Sequence, residues 1–440
     1  MPNKITVNHK IKSFNKSIII PGDKSLSIRW VLIASLASGK STANNLLMSE
    51  DVQAAINAIR KFGIKVSIKK DKCEIYGKGI YGYKFKRGIT IDAKNSGTLA
   101  RLILGLIINS PFSVKLIGDK SLSKRDFRRV TNPLSKFGVK FKYKNKNGLP
   151  LSLIGSNELK AISYLENRGS AQCKSSVIFG SIKAKGKTKI KAKKSRNHTE
   201  LLFKFLKLPI KVIKKNNYDH IELNPVKKIK KFNYNIPSDI SSAAFFIILT
   251  ALSKKSKLLI RNININPSRI GVIKILKKMG VKIRFKKIKF YKGEKISDII
   301  VSSPKNLKPI NCPVNLNSGA IDEFLSIFLL AAKAKGVSYF KNLEELDKKE
   351  SPRLKWGAKI LSLIGIRAIS TKNSIKIYGN PRLKIENKIV IKNYLKDHRV
   401  FMTSVIAALA FGGKWEIHDK DSINTSFPSF LKLINNFKKC

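Results

Sequence analysis

The chain has 440 residues, more than one hydrophobic core usually serves, so two domains or two lobes are expected. Hydrophobic residues make up 43% of the chain and are spread along its whole length, which argues against long disordered regions. The formal net charge of +62 raises a basic nucleic-acid-binding protein as an alternative, but the lysines are diffuse rather than gathered on one face with aromatic platforms. We therefore expect no nucleic-acid partner.

Cysteine, histidine and hydropathy patterns exclude several further classes. Cys73, Cys173, Cys312 and Cys440 stand far apart, and the five histidines lack the spacing of metal ligands, so neither a disulfide framework nor a metal site is expected. The first apolar run, residues 18–20, is too short for a signal peptide. No stretch approaches the ~20 apolar residues that a membrane span needs. We expect a cytoplasmic protein without a membrane partner.

One local pattern recurs along the chain. An amphipathic helix that ends in glycine and is followed by a short alternating strand is predicted around Gly63, Gly138, Gly280 and Gly365. Residues 208–211 (LPIK) fill the gap in this series, which gives a period of about 75 residues. That period is too long for a solenoid, so each repeat should be a larger α/β unit.

A second series runs in step with the first. Small or polar clusters open strongly apolar helices, and their Ser, Asp and Asn residues predict N-caps that satisfy the free N–H groups of the first turn. The helices that follow, such as 243–252 and 403–411, are apolar on nearly all sides and should be buried. The six clusters are residues 23–25, 95–97, 170–172, 238–239, 321–323 and 397–399.

The two series together predict an α/β protein of six βαβαββ units, three in each lobe. The last outer helix, residues 429–436, has no strands after it, so the N-terminal strand segment 5–11 is predicted to complete that unit. If the buried helices aim their N-termini at one cleft, their partial positive charges favour a polyanion there.

Several motifs place candidate functional residues at these helix openings. Residues 21–29 (PGDKSLSIR) put Lys24 and Arg29 where both can reach one anion. Residues 95–101 (NSGTLAR) offer Gly97, which has no side chain to keep a ligand from backbone N–H groups. Residues 118–125 (GDKSLSKR) end in Arg125, whose planar guanidinium can bind a carboxylate or phosphate through two parallel bonds.

Later motifs add hydroxyl, amide, acidic and basic groups. Residues 170–175 (SAQCKS) and 195–200 (SRNHTE) offer donors for a polar ligand. Asp322 lies at a buried helix N-terminus near cationic residues, a good place for a general base. Residues 348–353 (KKESPR) and 397–399 (DHR) supply further lysine, glutamate and arginine side chains.

In their order along residues 21–428, these motifs resemble those of the enolpyruvyl transferases, and most closely the 5-enolpyruvylshikimate-3-phosphate synthases. The resemblance implies the two-lobed fold, with buried helix N-termini facing an interdomain cleft. Residues 1–21 and 238–440 are then lobe I, with the phosphoenolpyruvate clamp and the catalytic Asp and Lys-Glu motif. Residues 22–237 are lobe II, with the shikimate 3-phosphate contacts and the Arg125 clamp.

The family activity implied is transfer of the enolpyruvyl group of phosphoenolpyruvate to the 5-hydroxyl of shikimate 3-phosphate, with release of phosphate, in chorismate and aromatic amino acid biosynthesis. No cofactor is implied, and we expect a monomer. The implied catalytic residues are Asp322, Lys24, Glu350 and Lys349. The implied shikimate 3-phosphate contacts are Lys24, Ser25, Arg29, Ser170, Ala171, Gln172, Arg196, Asp322 and Lys349. The implied phosphoenolpyruvate contacts are Lys24, Gly97, Arg125, Gln172, Arg353 and Arg399.

The chain departs from the family pattern at a few positions. Lys94 replaces a usual glycine, Asp126 a usual proline, and Pro352 a usual aspartate between Glu350 and Arg353. Pro352 motivates the alternative of a non-catalytic descendant, because proline fixes the backbone there. The nearest enzymatic alternative is UDP-N-acetylglucosamine enolpyruvyl transferase, which carries a loop cysteine where residues 118–129 have none.

Overall fold

A computed structural model describes residues 3–438; Cys440 and the extreme ends of the predicted lobe I lie outside the described residues. The chain divides into two compact units. Within the described part, unit 1 comprises residues 3–21, 237–290 and 295–438, and unit 2 comprises residues 22–236 and 291–294. Each unit has its own cluster of buried hydrophobic side chains. The substrate roles given to the two lobes stay predictions.

The elements follow the repeated pattern predicted from the sequence. In chain order, the strands are β1 Lys4–Val7, β2 Asn15–Ile19, β3 Ser38–Asn44, β4 Lys65–Lys69, β5 Lys72–Lys78, β6 Thr90–Asp92, β7 Val114–Ile117, β8 Lys140–Tyr143, β9 Leu151–Ile154, β10 Ser163–Glu166, β11 Thr188–Lys193, β12 Ile210–Lys214, β13 Tyr218–Leu223, β14 Asn233–Asn235, β15 Lys257–Asn264, β16 Lys282–Tyr291, β17 Glu294–Ser302, β18 Gly336–Phe340, β19 Ala368–Ser370, β20 Ile375–Gly379, β21 Lys388–Ile391 and β22 Lys414–His418. The α-helices are α1 Lys24–Ser35, α2 Glu50–Lys61, α3 Gly97–Leu106, α4 Lys120–Ser123, α5 Arg128–Ser135, α6 Ala171–Ser181, α7 His198–Phe205, α8 Ile240–Leu252, α9 Gly271–Lys278, α10 Asn317–Ala320, α11 Phe324–Lys333, α12 Arg353–Leu363, α13 His398–Phe411 and α14 Phe430–Lys438.

The sheets of unit 2 share one topology. Their strand orders are β14-β3-β5-β4, β6-β7-β9-β8 and β10-β11-β13-β12. In each sheet the first pair is parallel and the remaining pairs are antiparallel. A buried helix therefore connects the parallel strands β6 and β7, and likewise β10 and β11, as the predicted βαβαββ unit requires.

The sheets of unit 1 have the orders β16-β17-β15-β2, β18-β20-β19 and β1-β22-β21. Strand β1 pairs antiparallel with β22, which confirms that the N-terminal segment completes the last repeat. The strand itself is shorter than the predicted segment 5–11. Strand β2, which precedes α1 in sequence, pairs in parallel with β15 of unit 1, whereas β14 pairs in parallel with β3 of unit 2. The first and fourth repeats have thus exchanged their first strands.

Five of the six predicted helix openings have the expected cap. Side chains of Asp23, Ser96, Ser170, Asp239 and Asp397 each accept a backbone N–H from the first turn of α1, α3, α6, α8 and α13. The prediction is wrong for residues 321–323. The N-cap residue of α11, Glu323, makes no side-chain hydrogen bond to the helix, and the short helix α10 and a turn lead directly into α11.

The glycines that end the outer helices occupy left-handed conformations. Gly63, Gly138, Gly280 and Gly365 all have φ between 76° and 101°. Glycine meets no Cβ penalty in this region, which is why it recurs there. In the remaining repeat of this series the left-handed residue is Lys207, with φ of 55°, rather than Pro209, so the predicted alignment of that repeat is two residues too late.

Lys183 follows α6 and places a buried amine at the carboxyl end of α3, where it should make stability depend on pH. Its Nζ donates to the Leu106 carbonyl at 2.8 Å and to Asn109 Oδ1 at 2.6 Å. Burial lowers its pKa from 10.5 to about 7. Between these values the unfolded chain binds the proton that the folded chain has lost, so stability should rise with pH from about 7 to 10.5, by up to about 1.4 kcal/mol per pH unit.

Urea unfolding of the wild type and Lys183→Met at pH 7, 8, 9 and 10 would test this expectation. The difference in stability between the two proteins should grow in favour of the wild type as the pH rises. Other lysines also lose their charge above pH 9, but they do so in both proteins, so they cancel in the comparison. Parallel pH profiles for the two proteins would contradict the prediction.

Candidate active-site residues

In unit 2, α1 and α6 meet at a buried arginine near their N-termini. Arg29 lies on α1, and its Nε donates to Thr199 Oγ1 at 2.8 Å. Its Nη2 donates to Ser175 Oγ on α6 at 3.1 Å, and its Nη1 donates to the Ser25 carbonyl at 3.0 Å. These three hydrogen bonds fix the orientation of the Arg29 side chain between α1, α6 and α7.

The N-terminal turns of α3 and α6 are joined by Gln172. Its Oε1 accepts from Arg101 Nη1 at 2.7 Å, and its Nε2 donates to Thr98 Oγ1 at 2.9 Å. A Cβ added to Gly97 would lie 2.7 Å from Arg101 Nη1 and 2.9 Å from Arg125 Nη1. Glycine at this position therefore lets two guanidinium groups approach the first turn of α3. Arg101 belongs to this cluster, and the sequence analysis missed its role.

Lys24 occupies the first position of α1, as predicted. Its Nζ lies 2.8 Å from Asp51 Oδ2 in the first turn of α2. The Lys24 side chain is 22% exposed. Lys94, the departure from the usual glycine, has φ of 51° and forms an ion pair with Asp92 at 2.7 Å. The left-handed backbone explains why glycine suits position 94, and lysine there costs roughly 1–2 kcal/mol of strain.

The remaining predicted residues of unit 2 surround the same helix ends. Ser170 caps α6 through its hydroxyl, and Ala171 is the first residue of that helix. Ser25 is half-buried beside Lys24, and Arg196 lies half-buried just before the start of α7. The role of Arg196 rests on the motif alone.

A fully buried ion pair links α6 and α7. Lys174 Nζ is 2.6 Å from Glu200 Oε1, and the two side chains are 0% and 3% exposed. Neither group has another hydrogen-bond partner in the part of the chain that the structure describes. Lys174 precedes Ser175 and Glu200 follows Thr199, the two residues that hold Arg29. The pair therefore ties α6 to α7 where Arg29 is bound.

In unit 1, the Arg353 guanidinium contacts three carboxylates. Its Nε lies 2.9 Å from Asp397 Oδ2, its Nη2 2.5 Å from Glu350 Oε2, and its Nη1 3.3 Å from Asp322 Oδ1. Burial opposes the charged form of Arg353, but these carboxylates outweigh burial and raise its pKa. Burial likewise acts to raise the pKa of Asp397, and contact with Arg353 outweighs it, so that pKa is lowered. Arg353 could bind phosphoenolpyruvate only by exchanging some of these partners.

Asp322 and Lys349 lie together, as the predicted catalytic roles require. Lys349 Nζ is 3.1 Å from Asp322 Oδ1, and the two side chains are 28% and 15% exposed. The N-cap residue of α11 is Glu323, the residue that follows Asp322. Pro352 takes the N-cap position of α12 with φ of −71°, which suits proline and preserves the contact between Glu350 and Arg353.

Arg399 presents donors that the described residues do not satisfy. Its Nε and Nη1 are buried and have no hydrogen-bond partner within residues 3–438. The Glu323 carboxylate lies 3.6 Å from Nη1, and the ring of Phe245 lies 5.6 Å from the guanidinium carbon. Buried charged donors cost free energy unless they are paired, so this arginine is suited to an anionic ligand.

Two surface cavities of unit 2 are lined by other residues. One, of about 290 Å³, contains Arg128, Arg129 and Arg168, and the Arg128 guanidinium is paired with Asp126. The other, of about 960 Å³, runs beside α2. None of the predicted site residues lines either cavity. Residues 3–438 contain no group of three His, Cys, Asp or Glu side chains placed to hold a metal ion.

Comparison with known proteins identifies the family of the chain. The family model described as EPSP synthase (3-phosphoshikimate 1-carboxyvinyltransferase) matches residues 8–434. This chain belongs to the EPSP synthase family. A 3-phosphoshikimate 1-carboxyvinyltransferase of Caldicellulosiruptor bescii is 38% identical over 425 residues, covering 96% of each chain. One from Ruthia magnifica is 39% identical over 424 residues, covering 96% of this chain and 95% of the relative.

Solved structures agree on the fold. EPSP synthase from Acinetobacter baumannii has a TM-score of 0.85 and 32% sequence identity, with 98% of both chains covered. The enolpyruvyl transferase NikO from Streptomyces tendae has a TM-score of 0.76 at 13% identity, which shows the fold alone. The predicted family and the predicted two-lobed α/β fold of six repeats are confirmed.

The family comparison does not test individual residues, so the assigned roles stay predictions. The structure adds partners that the sequence analysis missed, namely Asp51, Arg101, Glu323 and the buried pair Lys174 and Glu200. Arg101 could have been found, because it lies one helical turn after Gly97 in the same motif. Asp51 and Glu200 gave no local signal, since each reads as an ordinary acidic residue in the first turn of an outer helix.

Proposed function

We infer that this chain transfers the enolpyruvyl group of phosphoenolpyruvate to the 5-hydroxyl of shikimate 3-phosphate and releases phosphate, as a 3-phosphoshikimate 1-carboxyvinyltransferase. The observation that carries this inference is the family match over residues 8–434, together with near-complete coverage of relatives that bear this enzyme name. The clusters at the buried helix N-termini of each unit supply the cationic groups that two phosphorylated substrates need.

We assign the chemistry as follows. Asp322 accepts the proton of the 5-hydroxyl as its oxygen attacks C2 of phosphoenolpyruvate, and the contact with Lys349 at 3.1 Å supports this pairing. A proton is delivered to C3, for which Lys24, Lys349 and Glu350 are the candidates. Phosphate then leaves C2 of the tetrahedral adduct while a proton is removed from the C3 methyl group, and the electrons of that C–H bond restore the double bond. The carbon and proton balance needs no oxidant or reductant.

Binding is assigned to the remaining residues. Lys24, Arg125 and Gln172, beside Gly97, are proposed to hold phosphoenolpyruvate with Arg399. Positioning two anions close together costs electrostatic repulsion, which fixed guanidinium groups and helix N-termini offset. The hydrogen bonds of Arg29 to Thr199 and Ser175 support its assignment to shikimate 3-phosphate, because they hold the guanidinium in one orientation near the N-termini of α1 and α6.

A direct assay tests the function against its nearest alternative. Purified full-length protein is given phosphoenolpyruvate with either shikimate 3-phosphate or UDP-N-acetylglucosamine, and phosphate release is followed by a coupled reaction. We expect release with shikimate 3-phosphate only. Release with the nucleotide sugar, or with neither acceptor, would refute the proposal. The absence of cysteine from residues 118–129 favours the first outcome.

Other expectations from the sequence are not tested by these comparisons. No helix within residues 3–438 combines the length and the apolar character that crossing a bilayer demands. The monomeric state, the cytoplasmic location and the lack of a nucleic-acid partner stay predictions. Sedimentation of the purified protein would test the monomeric state. Sedimentation with duplex DNA at physiological salt would test the lack of a nucleic-acid partner.

A further inference from the structure

We propose that Glu323, held by Ser241 and Arg269, positions Arg399 so that its hydrogen-bond donors stay available to phosphoenolpyruvate. The inference rests on the proposed function, which makes Arg399 a ligand of that substrate. It gives a functional role to Ser241 and Arg269, to which the sequence analysis assigned none. In this role Glu323, Ser241 and Arg269 are positioning residues, since they act through Arg399 rather than touching the substrate.

The relay is a chain of buried polar contacts. Arg269 Nη2 donates to Ser241 Oγ at 2.8 Å, and Ser241 Oγ in turn donates to Glu323 Oε1 at 2.5 Å. Arg269 offers only protons, so the hydroxyl proton of Ser241 is left to point at Glu323. The same Nη2 also lies 3.1 Å from Asp239 Oδ1. Arg269, Ser241 and Glu323 are all at most 3% exposed, so water does not compete for these contacts.

The distance between Glu323 and Arg399 shows that the carboxylate does not accept a hydrogen bond from the guanidinium. Glu323 Oε1 is 3.6 Å from Arg399 Nη1, longer than a hydrogen bond, while the same oxygen accepts the Ser241 proton at 2.5 Å. At this separation the carboxylate attracts the guanidinium without taking its N–H groups. The ring of Phe245 supports the guanidinium from α8, at 5.6 Å from its central carbon.

Arg353 of the same unit shows the contrasting arrangement. Its guanidinium donates directly to Asp397, Glu350 and Asp322 at 2.5–3.3 Å, so its donors are occupied. Arg399 has one carboxylate held at a longer distance and two buried nitrogen atoms without a hydrogen-bond partner in the described chain. Arg353 is thus arranged to organise carboxylates, and Arg399 is arranged to receive an anion from outside the chain.

The relay also joins the three buried helices of unit 1 at their N-terminal ends. Asp239 and Ser241 belong to the opening of α8, Glu323 is the N-cap residue of α11, and Arg399 is in the first turn of α13. Glu323 takes part in this network instead of capping α11, which accounts for the one helix opening where the predicted cap is missing.

Steady-state kinetics of two relay variants test the inference. Glu323→Gln keeps the shape of the side chain and removes its charge, and Ser241→Ala removes one hydroxyl. Each is expected to raise KM for phosphoenolpyruvate about tenfold while KM for shikimate 3-phosphate stays unchanged. Ser242→Ala, on the next residue of the same helix, is the matched control and should behave as the wild type. The smaller change, Ser241→Ala, keeps the test available if Glu323→Gln folds poorly.

A double-mutant cycle separates positioning from a merely structural effect. If Glu323 acts through Arg399, then Arg399→Lys should raise KM for phosphoenolpyruvate, and adding Glu323→Gln or Ser241→Ala to it should change KM no further. An unchanged or lower KM in both single relay variants would overturn the inference, while a raised KM in Arg399→Lys would leave the proposed site intact. An unchanged KM in Arg399→Lys would instead overturn the assignment of Arg399 itself, and wild-type turnover would still establish the activity.

Discussion

Asp322→Asn is expected to lower kcat for phosphate release by roughly 10²–10⁴-fold, the usual contribution of a general base. Asparagine retains the shape of the side chain and can still accept a hydrogen bond from Lys349 or Arg353, whose nitrogen atoms lie 3.1 and 3.3 Å away. It cannot take the proton of the attacking hydroxyl. The loss should therefore appear in kcat more than in either KM.

The measurement is the coupled phosphate assay with both substrates at saturation, together with circular dichroism to show that the variant is folded. Asp421→Asn is the control, because Asp421 is a surface carboxylate of the same unit that contacts Asn3 and Lys396. Its activity should equal that of the wild type. If Asp322→Asn retained full turnover, the proton would have to be taken by another group, and the proposed role of Asp322 would be withdrawn.

Glu200→Ala is expected to produce the largest loss of stability, about 3–5 kcal/mol, because it removes the ion-pair partner of the buried Lys174 ammonium. The Lys174 side chain is 0% exposed, and Glu200 is its ion-pair partner at 2.6 Å. Neither solvent nor another hydrogen-bond partner in the described residues compensates the ammonium. The midpoint of urea unfolding, monitored by circular dichroism, should move to a lower urea concentration.

The matched control removes both charges at once. In the double variant Lys174→Met/Glu200→Leu no buried charge is left uncompensated, so its stability should lie much nearer the wild type than that of Glu200→Ala. Since the neighbouring residues Ser175 and Thr199 hold Arg29, folded Glu200→Ala protein should also bind shikimate 3-phosphate less tightly. Wild-type stability of Glu200→Ala would show that Lys174 reaches water or sheds its proton when its partner is removed.

The sequence alone determined the repeated unit, the buried helices and most of their caps. These features depend on local chemistry: Asp23 and Ser96 accept N–H groups within one turn of their own helix, and Gly63 relieves a left-handed backbone at its own position. The order of the motifs was enough to identify the family. Local patterns misjudged the opening of α11, where Glu323 bonds to a distant hydroxyl instead of capping its helix.

Only the tertiary structure decided which charged groups meet. Arg353 contacts Asp397, 44 residues away in sequence, and Arg29 donates to Thr199, 170 residues away. The exchange of β2 and β14 between repeats is likewise invisible in the sequence, since each strand's hydrogen bonds can be satisfied by either parallel neighbour. Pairing across the fold depends on how separate helices and strands pack, and no residue's immediate neighbours encode that arrangement.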